Sequence, residues 1–308
     1  MNVTLAETLL KLKRAQAPDV GWVTRFAPSP SGYLHLGHVG AALVVWVVKK
    51  LVGGSSILRI EDHDIGRSRP EFEQAIVEDL KWLGLLDVDD VIVDQSSRMS
   101  RYQAAVDKLK SKGLIYNCLC TRKRLQSLSI NQGERGNGEL IYDGHCRNLK
   151  IPDDREGTVR VCLPNQETRF QDIHLGGISQ RPSEQCGDIS LRDRNGYWTY
   201  HLTNTVDDIE QGVTFVIRGM DLLESTGRQI LLRHLLSEKE PMIYLHHPLI
   251  VDDQGKKLSK RDLSESIRQL INSGLGRQQI IGLAAFKVGL QSTSEPCEPG
   301  HILERLSQ

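Results

Sequence analysis

Residues 25–40, which read RFAPSPSGYLHLGHVG, constrain the fold of this chain more than any other segment. A short apolar stretch runs into a Pro/Gly turn, and the turn leads into a helical pattern that begins with His35 and His38. A helix N-terminus presents unpaired N–H groups and the positive end of the helix dipole, and three glycines let a ligand approach the backbone closely. The segment therefore predicts a phosphate site suited to a nucleoside triphosphate. A solvated pair of surface histidines is the alternative for an isolated HxxH pattern.

Strand and helix patterns alternate around this segment. Buried-strand patterns are followed by amphipathic patterns that Gly or Pro begin or end. The expected strands are 23–27, 57–60 and 91–93, and the expected helices are 36–51, 70–83 and 99–112. This order predicts an α/β fold with a doubly wound parallel sheet, whose ligands bind at the carboxyl ends of the strands.

The alternation is interrupted between residues 113 and 188 and then resumes. Elements are expected at 198–206, 213–217, 222–236 (helix) and 244–251 (strand), and the last forty residues look helical before they become irregular. We expect an N-terminal extension (1–20), a catalytic domain (21–112 and 189–251), an insertion (113–188), a loop with a helical part (252–290) and a tail (291–308).

Charge and cysteine content narrow the class of protein only partly. Lysine plus arginine (39) equals aspartate plus glutamate (39), so net charge argues neither for nor against nucleic-acid binding. No run of about 18 apolar residues is present, so we expect no membrane span. Residues 1–20 read as an amphipathic extension, because Glu7 and Asp19 argue against a transit peptide. Six unevenly spaced cysteines favour a metal site in a reducing compartment, and we expect a cytoplasmic protein.

Three of the cysteines form a candidate zinc site inside the insertion. Cys118 and Cys120 precede a Tyr142-Asp-Gly-His145-Cys146 segment, and thiolates are preferred zinc ligands. His145 is the usual fourth donor, but it directly precedes Cys146, whereas Tyr142 lies four residues away. Chemistry alone leaves the two donors tied, and simple buried thiols are a further alternative. If zinc binds, the site is expected to be structural.

A basic segment, KKLSKR at residues 256–261, follows an Asp-Asp-Gln-Gly turn. Alone it is a weak motif that a solvated charged loop also explains. Together with the histidine segment it suggests a second half of a nucleotide site, because positioned lysines stabilise a departing pyrophosphate.

Four further residues lie at or beside predicted strands, namely Arg25, Glu61, Tyr200 and Arg218. Guanidinium groups bind carboxylates, and an acid binds an ammonium group, so the set suits a small zwitterion with an extra carboxylate. For each arginine alone, a surface ion pair is the commoner explanation.

These motifs closely resemble the glutamyl-tRNA synthetase group of class I aminoacyl-tRNA synthetases, and within it the short glutamyl-Q tRNA(Asp) type. The resemblance covers roughly residues 23–287. HLGH at 35–38 is similar to the HIGH signature, and KLSKR at 257–261 is similar to the KMSKS loop. The segments RFAPSPSG (25–32), RIED (59–62), VDD (206–208) and VIRG (216–219) resemble those that line the glutamate and adenylate pocket.

The resemblance implies a Rossmann-like fold and a set of site residues. His35, His38 and Lys260 would be catalytic, and ATP would contact these three together with Lys257 and Ser259. Glutamate would be held by Arg25, Phe26, Ala27, Pro28, Ser29, Glu61, Tyr200 and Arg218. Structural Zn²⁺ would be bound by Cys118, Cys120, Tyr142 and Cys146, and Mg²⁺ would accompany ATP. Arg261 replaces the usual final serine of KMSKS, which makes the motion of that loop less predictable.

The implied activity is formation of glutamyl-adenylate and transfer of the glutamyl group to the queuosine base of tRNA(Asp), by a monomer. We expect this acceptor because the chain ends near the point where a full glutamyl-tRNA synthetase begins its helical anticodon-binding part. The nearest alternative is a truncated synthetase that charges the 3′ end of tRNA(Glu). Others are a non-catalytic zinc-bearing RNA-binding module and a nucleotidyltransferase of the same superfamily, which would have little use for Arg25, Glu61, Tyr200 and Arg218 together.

Overall fold

Three parallel strands near the start of the chain form the first sheet, in the order β1-β2-β3. The computed structural model describes residues 4–12, 21–132, 141–152, 155–237, 242–251 and 265–307. Strands β1 (Val23–Phe26), β2 (Ser55–Ile60) and β3 (Val91–Asp94) pair in parallel. They are connected by helices α2 (Leu36–Val52) and α3 (Pro70–Leu83), and a 3₁₀ turn leads from β3 into α4 (Met99–Ser111). The strand and helix alternation predicted for this region is confirmed.

A second sheet has the order β7-β6-β10-β9. It comprises β6 (Thr168–Asp172), β7 (Gly176–Gln180), β9 (Phe215–Gly219) and β10 (Ile243–His247). β10 runs parallel to both β9 and β6, while β7 pairs antiparallel to β6 at the edge. Helices α7 (Tyr200–Glu210) and α8 (Thr226–Leu236) pack against each other.

The first and second sheets meet where β1 lies beside β9, and Thr214, just before β9, makes hydrogen bonds across this junction. Its N–H donates to the carbonyl of Val23 at 3.0 Å, and its own carbonyl accepts from the N–H of Ile243 at 3.0 Å. From β1 the chain continues to β2 and β3 on one side, and from β9 it continues to β10 on the other side. The strand order therefore reverses between β1 and β9. In doubly wound sheets a ligand crevice opens there, outside the carboxyl ends of the strands. The expected doubly wound fold is confirmed.

A third, antiparallel sheet contains β4 (Ile115–Cys118), β5 (Thr158–Val161) and β8 (Ser190–Arg192). Helix α5 (Arg122–Gln132) follows β4, and the short α6 (Pro182–Gln185) precedes β8. Strand pairing divides the segment 113–188 between two sheets, because β6 and β7 join β10 whereas β4 and β5 join β8. The domain boundaries stay a prediction.

The expectation that Tyr200 belongs to a strand is wrong, because α7 begins at that residue. Trp198, Thr199 and Tyr200 have high strand propensity, and Trp198 does form an isolated bridge with Arg192. The buried Leu202 and Val206, four residues apart, favour a helix from this point onward. Similarly, the helix expected at 222–236 is divided into a 3₁₀ helix over Met220–Ser225 and α8.

The two ends of the described chain pack together on α2. Helix α1 (Leu5–Leu12) buries one leucine face, which confirms the amphipathic pattern, and α11 (Pro299–Ser307) buries Ile302 and Leu306 in the same core. The expected irregular tail is therefore wrong for residues 299–307, where apolar residues four apart follow the Pro- and Ser-rich stretch. Helices α9 (Ile267–Asn272) and α10 (Arg277–Lys287) complete this layer. Within the ranges described, no helix is both long and apolar enough to cross a membrane.

Candidate active site

A cavity of about 490 Å³ opens at the carboxyl ends of β1 and β9. Every residue expected to contact glutamate, and both histidines of the HLGH segment, line this one cavity. They are Arg25, Phe26, Ala27, Pro28, Ser29, His35, His38, Glu61, Tyr200 and Arg218. Residues that are up to 193 positions apart in sequence thus meet at the point where the strand order reverses.

The two histidines sit at the start of α2 and cap it reciprocally. His35 is the N-cap residue, and its Nδ1 accepts a hydrogen bond from the N–H of Gly37 at 3.0 Å. The N–H of His35 in turn donates to Nδ1 of His38 at 3.2 Å, and the ring centroids are 3.8 Å apart. This geometry fixes both imidazoles beside the positive helix end, where a phosphate chain binds favourably.

Lys257, Ser259 and Lys260 lie outside the described residues, but the residues on either side of that gap are placed. Ile250, before the gap, lines the cavity. After the gap, Ser266 forms a bridge with His35, and the N–H of Ile267 donates to the carbonyl of Leu34 at 2.8 Å. Both flanks of the basic segment therefore lie at the histidine segment.

Arg25 is already paired inside the protein. Its Nε donates to Oδ1 of Asp208 at 3.1 Å, and Arg59 donates to the same oxygen at 2.7 Å. Burial acts to raise the pKa of Asp208, but the two guanidinium groups outweigh it and hold that pKa below its usual range. Arg25 also donates to the carbonyl of Ile217, so it ties β1 to β9 beneath the cavity.

Arg218, in contrast, carries a buried charge that no carboxylate within the described ranges contacts. Its guanidinium donates to His246 Nε2 (3.0 Å), Gln229 Oε1 (2.6 Å) and Thr226 Oγ1 (2.7 Å), all of which are neutral acceptors. The side chain is only 6 % exposed, and burial lowers its pKa. Two of its five N–H groups remain for a ligand, which makes Arg218 the strongest candidate to bind a carboxylate.

Glu61 supplies the opposite charge at the end of β2. Burial raises its pKa to about 7, against the opposing influence of Arg59 and Arg25. Asn204 Nδ2 lies 3.5 Å from its Oε1, and Arg59 approaches the same oxygen at 3.9 Å. A buried carboxyl group with so high a pKa gains most from a cationic ligand, such as an ammonium group.

Helix α7 presents three residues that face the site at four-residue intervals. Tyr200 and Asn204 line the cavity, and Asp208 lies beneath it between the two arginines. Asn204 was not among the predicted site residues, although its spacing from Tyr200 is a usable signal once the segment is recognised as a helix. The cavity is lined by a cation, Arg218, and an acid, Glu61. These charges suit a zwitterion that carries an additional carboxylate.

The cysteine cluster lies beside the third sheet, at the end of β4, and is separate from this cavity. The sulfurs of Cys118, Cys120 and Cys146 all lie within 4.8 Å of one another. The Tyr142 hydroxyl accepts a hydrogen bond from the N–H of Cys146 at 2.8 Å, and burial together with the neighbouring thiols raises the pKa of Tyr142. His145 is exposed, so of the two tied donors only Tyr142 is placed at the thiols. Three thiols and a phenol suit a tetrahedral zinc ion.

Comparisons with known proteins agree with this geometry. The family model for tRNA synthetases class I (E and Q), catalytic domain, matches residues 22–295. The glutamyl-Q tRNA(Asp) synthetase of Nitratidesulfovibrio vulgaris is 39 % identical over 301 residues, covering 92 % of this chain and 91 % of that protein. The protein of the same name from Rhodobacter capsulatus is 36 % identical and is covered completely, over 85 % of this chain.

Among solved structures, a glutamate tRNA ligase from Elizabethkingia meningosepticum, in complex with its amino acid, superposes with a TM-score of 0.73 at 26 % identity. The match covers 92 % of this chain and 64 % of the ligase, so the chain spans somewhat less than two thirds of that enzyme. The chain belongs to the class I aminoacyl-tRNA synthetases of the E and Q type, and within them to the glutamyl-Q tRNA(Asp) synthetase family.

Proposed function

We propose that the protein activates glutamate with ATP and transfers the glutamyl group to the queuosine base of tRNA(Asp). The observation that carries this proposal is the cavity in which the HLGH histidines lie beside the buried acid Glu61 and the cation Arg218, which no carboxylate of the described residues contacts. The names of the relatives with 35–42 % identity support the same acceptor.

In the proposed complex, Arg218 and Glu61 orient glutamate by charge. Arg218 takes the side-chain carboxylate, because its guanidinium has no acidic partner to displace within the described ranges. Glu61 takes the ammonium group. One wall of the pocket is formed by five consecutive residues, Arg25, Phe26, Ala27, Pro28 and Ser29. Tyr200, at the start of α7, also lines the pocket. In this orientation the α-carboxylate of glutamate faces the histidines at the start of α2.

Activation follows as an in-line displacement. An oxygen of the glutamate α-carboxylate forms a bond to the α-phosphorus of ATP while the bond to the pyrophosphate oxygen breaks. His35, His38 and Lys260 stabilise the negative charge that develops on the phosphoryl oxygens and the leaving group, which is where positioned donors accelerate such reactions most. Mg²⁺, bound with ATP, would supply further charge neutralisation.

Transfer requires a hydroxyl nucleophile and releases AMP. A hydroxyl of the queuosine cyclopentene ring attacks the carbonyl carbon of the adenylate, and the bond to the AMP phosphate oxygen breaks. No side chain of the pocket is required as the base, since the departing phosphate can accept the proton. The product is an ester on the modified base.

We further propose that Cys118, Cys120, Tyr142 and Cys146 bind a structural zinc ion. The four donors converge from the end of β4 and the residues just after it and from the segment between α5 and β5, so the ion would join two parts of the insertion. The cluster lies apart from the cavity that contains Arg218 and Glu61, and the described residues around it offer no evident base, which supports a structural role.

The decisive experiment uses radiolabelled glutamate, ATP and tRNA from cells with and without queuosine. Label should enter tRNA(Asp) only when queuosine is present, and after nuclease digestion it should be recovered with the modified anticodon nucleoside rather than with the 3′-terminal adenosine. Label on the 3′ end of tRNA(Glu) would instead establish the truncated synthetase. Absence of glutamate-dependent ATP–pyrophosphate exchange would contradict activation itself and favour a non-catalytic RNA-binding module.

A further inference from the structure

We propose that Asp172 and His246 are positioning residues that hold the Arg218 guanidinium for a carboxylate and thereby set the preference for glutamate over glutamine. Neither residue lies in a segment that resembles a family motif quoted above. Asp172 falls within the segment 113–188 that the sequence assigns to the insertion. The inference rests on the proposed function, in which Arg218 binds the substrate side chain.

The three residues form a continuous buried chain across the second sheet. Asp172 ends β6, and His246 lies on the adjacent β10, where Tyr244 and Asp172 are paired in register. His246 Nδ1 lies 2.7 Å from Asp172 Oδ2, and its Nε2 lies 3.0 Å from Nε of Arg218. Asp172 and His246 are both 0 % exposed, and Arg218 is 6 % exposed.

The hydrogen bonds around Asp172 fix the tautomer of His246. Asp172 Oδ1 accepts from the N–H groups of His174 and Leu175, each at 2.8 Å, and Oδ2 accepts from the N–H of His246 at 2.9 Å. Four donors thus converge on a carboxylate that can only accept, so the ring proton must lie on Nδ1. Nε2 is then an acceptor that faces Nε of Arg218 at 3.0 Å and Oγ1 of Thr226 at 3.1 Å.

This arrangement anchors Arg218 without neutralising it. A carboxylate in direct contact would offset the guanidinium charge, as Asp208 does in part for Arg25 while it also pairs with Arg59. The imidazole instead stands between Asp172 and Arg218, while burial lowers the pKa of His246 and keeps the ring neutral. The remaining partners, Thr226 and Gln229, are also neutral.

The uncompensated charge explains the expected preference. A glutamate carboxylate accepts hydrogen bonds from the two remaining N–H groups of Arg218 and gains the charge attraction. A glutamine side chain offers only one acceptor oxygen there and sets its own NH₂ donors against the guanidinium. The preference requires the guanidinium to keep its orientation, to which the Nε contact with His246 contributes together with the bonds to Gln229 and Thr226.

The test compares three variants of the full chain in glutamate-dependent ATP–pyrophosphate exchange. His246→Leu removes the ring's hydrogen bonds to Asp172 and Arg218 and its contact with Thr226 Oγ1, whereas His246→Gln can donate to Asp172 and accept from Arg218. Asp172→Asn favours the opposite tautomer, which points an N–H at Arg218. Tyr102→Phe is the control, because it removes a buried hydroxyl bond to Asp207 (2.9 Å) in a different network.

We expect His246→Leu and Asp172→Asn to raise KM for glutamate by on the order of 10-fold or more, as for loss of a hydrogen bond to a charged group, and to reduce the glutamate-to-glutamine preference. His246→Gln should stay close to the unmodified protein, and Tyr102→Phe should change thermal stability without changing KM. Equal impairment in His246→Gln and His246→Leu would indicate packing alone and overturn the proposal, as would an unchanged KM in His246→Leu.

Two further measurements test the proposal independently of the KM values of these variants. Nitrogen-15 chemical shifts of the histidine rings in the unmodified protein should report the Nδ1–H tautomer for His246, identified by its disappearance in His246→Gln. The Nε2–H tautomer would overturn the proposal even if other variants fail to fold. An unchanged KM in Arg218→Lys would contradict the proposed role of Arg218 itself, which separates that failure from a failure of the positioning residues.

Discussion

Lowering the pH from 8 to 6 is expected to weaken glutamate binding about tenfold, because Glu61 must lose a proton before it can pair with the substrate ammonium. Burial raises the pKa of this carboxyl group from 4.5 to about 7. Lowering the pH from 7 to 6 should therefore raise the apparent KM for glutamate by about fivefold, and each further unit by close to tenfold, since only the ionised fraction binds. A carboxyl group with an ordinary pKa would leave KM flat over the same interval.

The direction of this pH dependence follows from the linkage between proton binding and glutamate binding. An ammonium ligand favours the ionised form of Glu61, so binding below pH 7 must release a proton from the protein. Calorimetric titration of glutamate in two buffers of different ionisation enthalpy should detect about one released proton at pH 6 and almost none at pH 8. The kcat/KM profile for glutamate in pyrophosphate exchange should bend near pH 7.

Glu61→Gln is the matched control, because it keeps the shape of the side chain but cannot titrate. It should raise KM for glutamate at pH 8 and remove the proton release at pH 6, while the titration of the ATP phosphates remains as a background common to both proteins. A pH slope that persists in Glu61→Gln, or a flat profile in the unmodified protein, would refute the assignment of Glu61 to the ammonium group.

Three other predictions concern the basic loop and the insertion. Lys260→Ala should reduce glutamate-dependent pyrophosphate exchange by on the order of 10²-fold or more, as for loss of one transition-state donor, and unchanged exchange would exclude that role. Tyr142→Phe should lower the zinc content per chain, measured by mass spectrometry, whereas His145→Ala should leave it intact; the reverse result would make His145 the ligand. Gly187→Ala would place a Cβ 1.9 Å from the carbonyl oxygen of Tyr142, whereas a Cβ at Gly196 meets nothing within 4 Å, and both residues have positive φ. Gly196→Ala should thus cost only the left-handed strain of about 1–2 kcal/mol, and Gly187→Ala clearly more; equal melting temperatures would contradict this.

Much of the fold can be read from local patterns. Helix α3 occupies the predicted residues, because Pro70 favours its first turn and Gly84, at φ 72°, ends it. The histidine segment is equally local, since its capping residues and glycines lie within a few positions of each other. Such signals depend on neighbours in sequence, so a single chain is sufficient to find them.

The errors arise where neighbours in space decide. Tyr200 has strand propensity, yet α7 begins there because Leu202 and Val206 are buried together four residues apart. The stretch before α11 is rich in Pro and Ser, and the short helix that follows is stabilised by packing on the core that α1 and α2 provide. Propensity is a weak guide to elements whose stability comes from tertiary packing.

The roles of the arginines illustrate the same limit at the level of function. Arg25 and Arg218 both lie on strands that end at the cavity, and the sequence gives no reason to rank one above the other. Asp208, contributed by a helix 183 residues after Arg25, pairs with the first and offsets part of its charge, since Arg59 binds the same oxygen. Neutral acceptors surround the second, and one of them is itself oriented by Asp172. Because a ligand carboxylate binds best where a buried cation has no other anion, the partners of each arginine, rather than its type or position, decide which of the two selects the substrate.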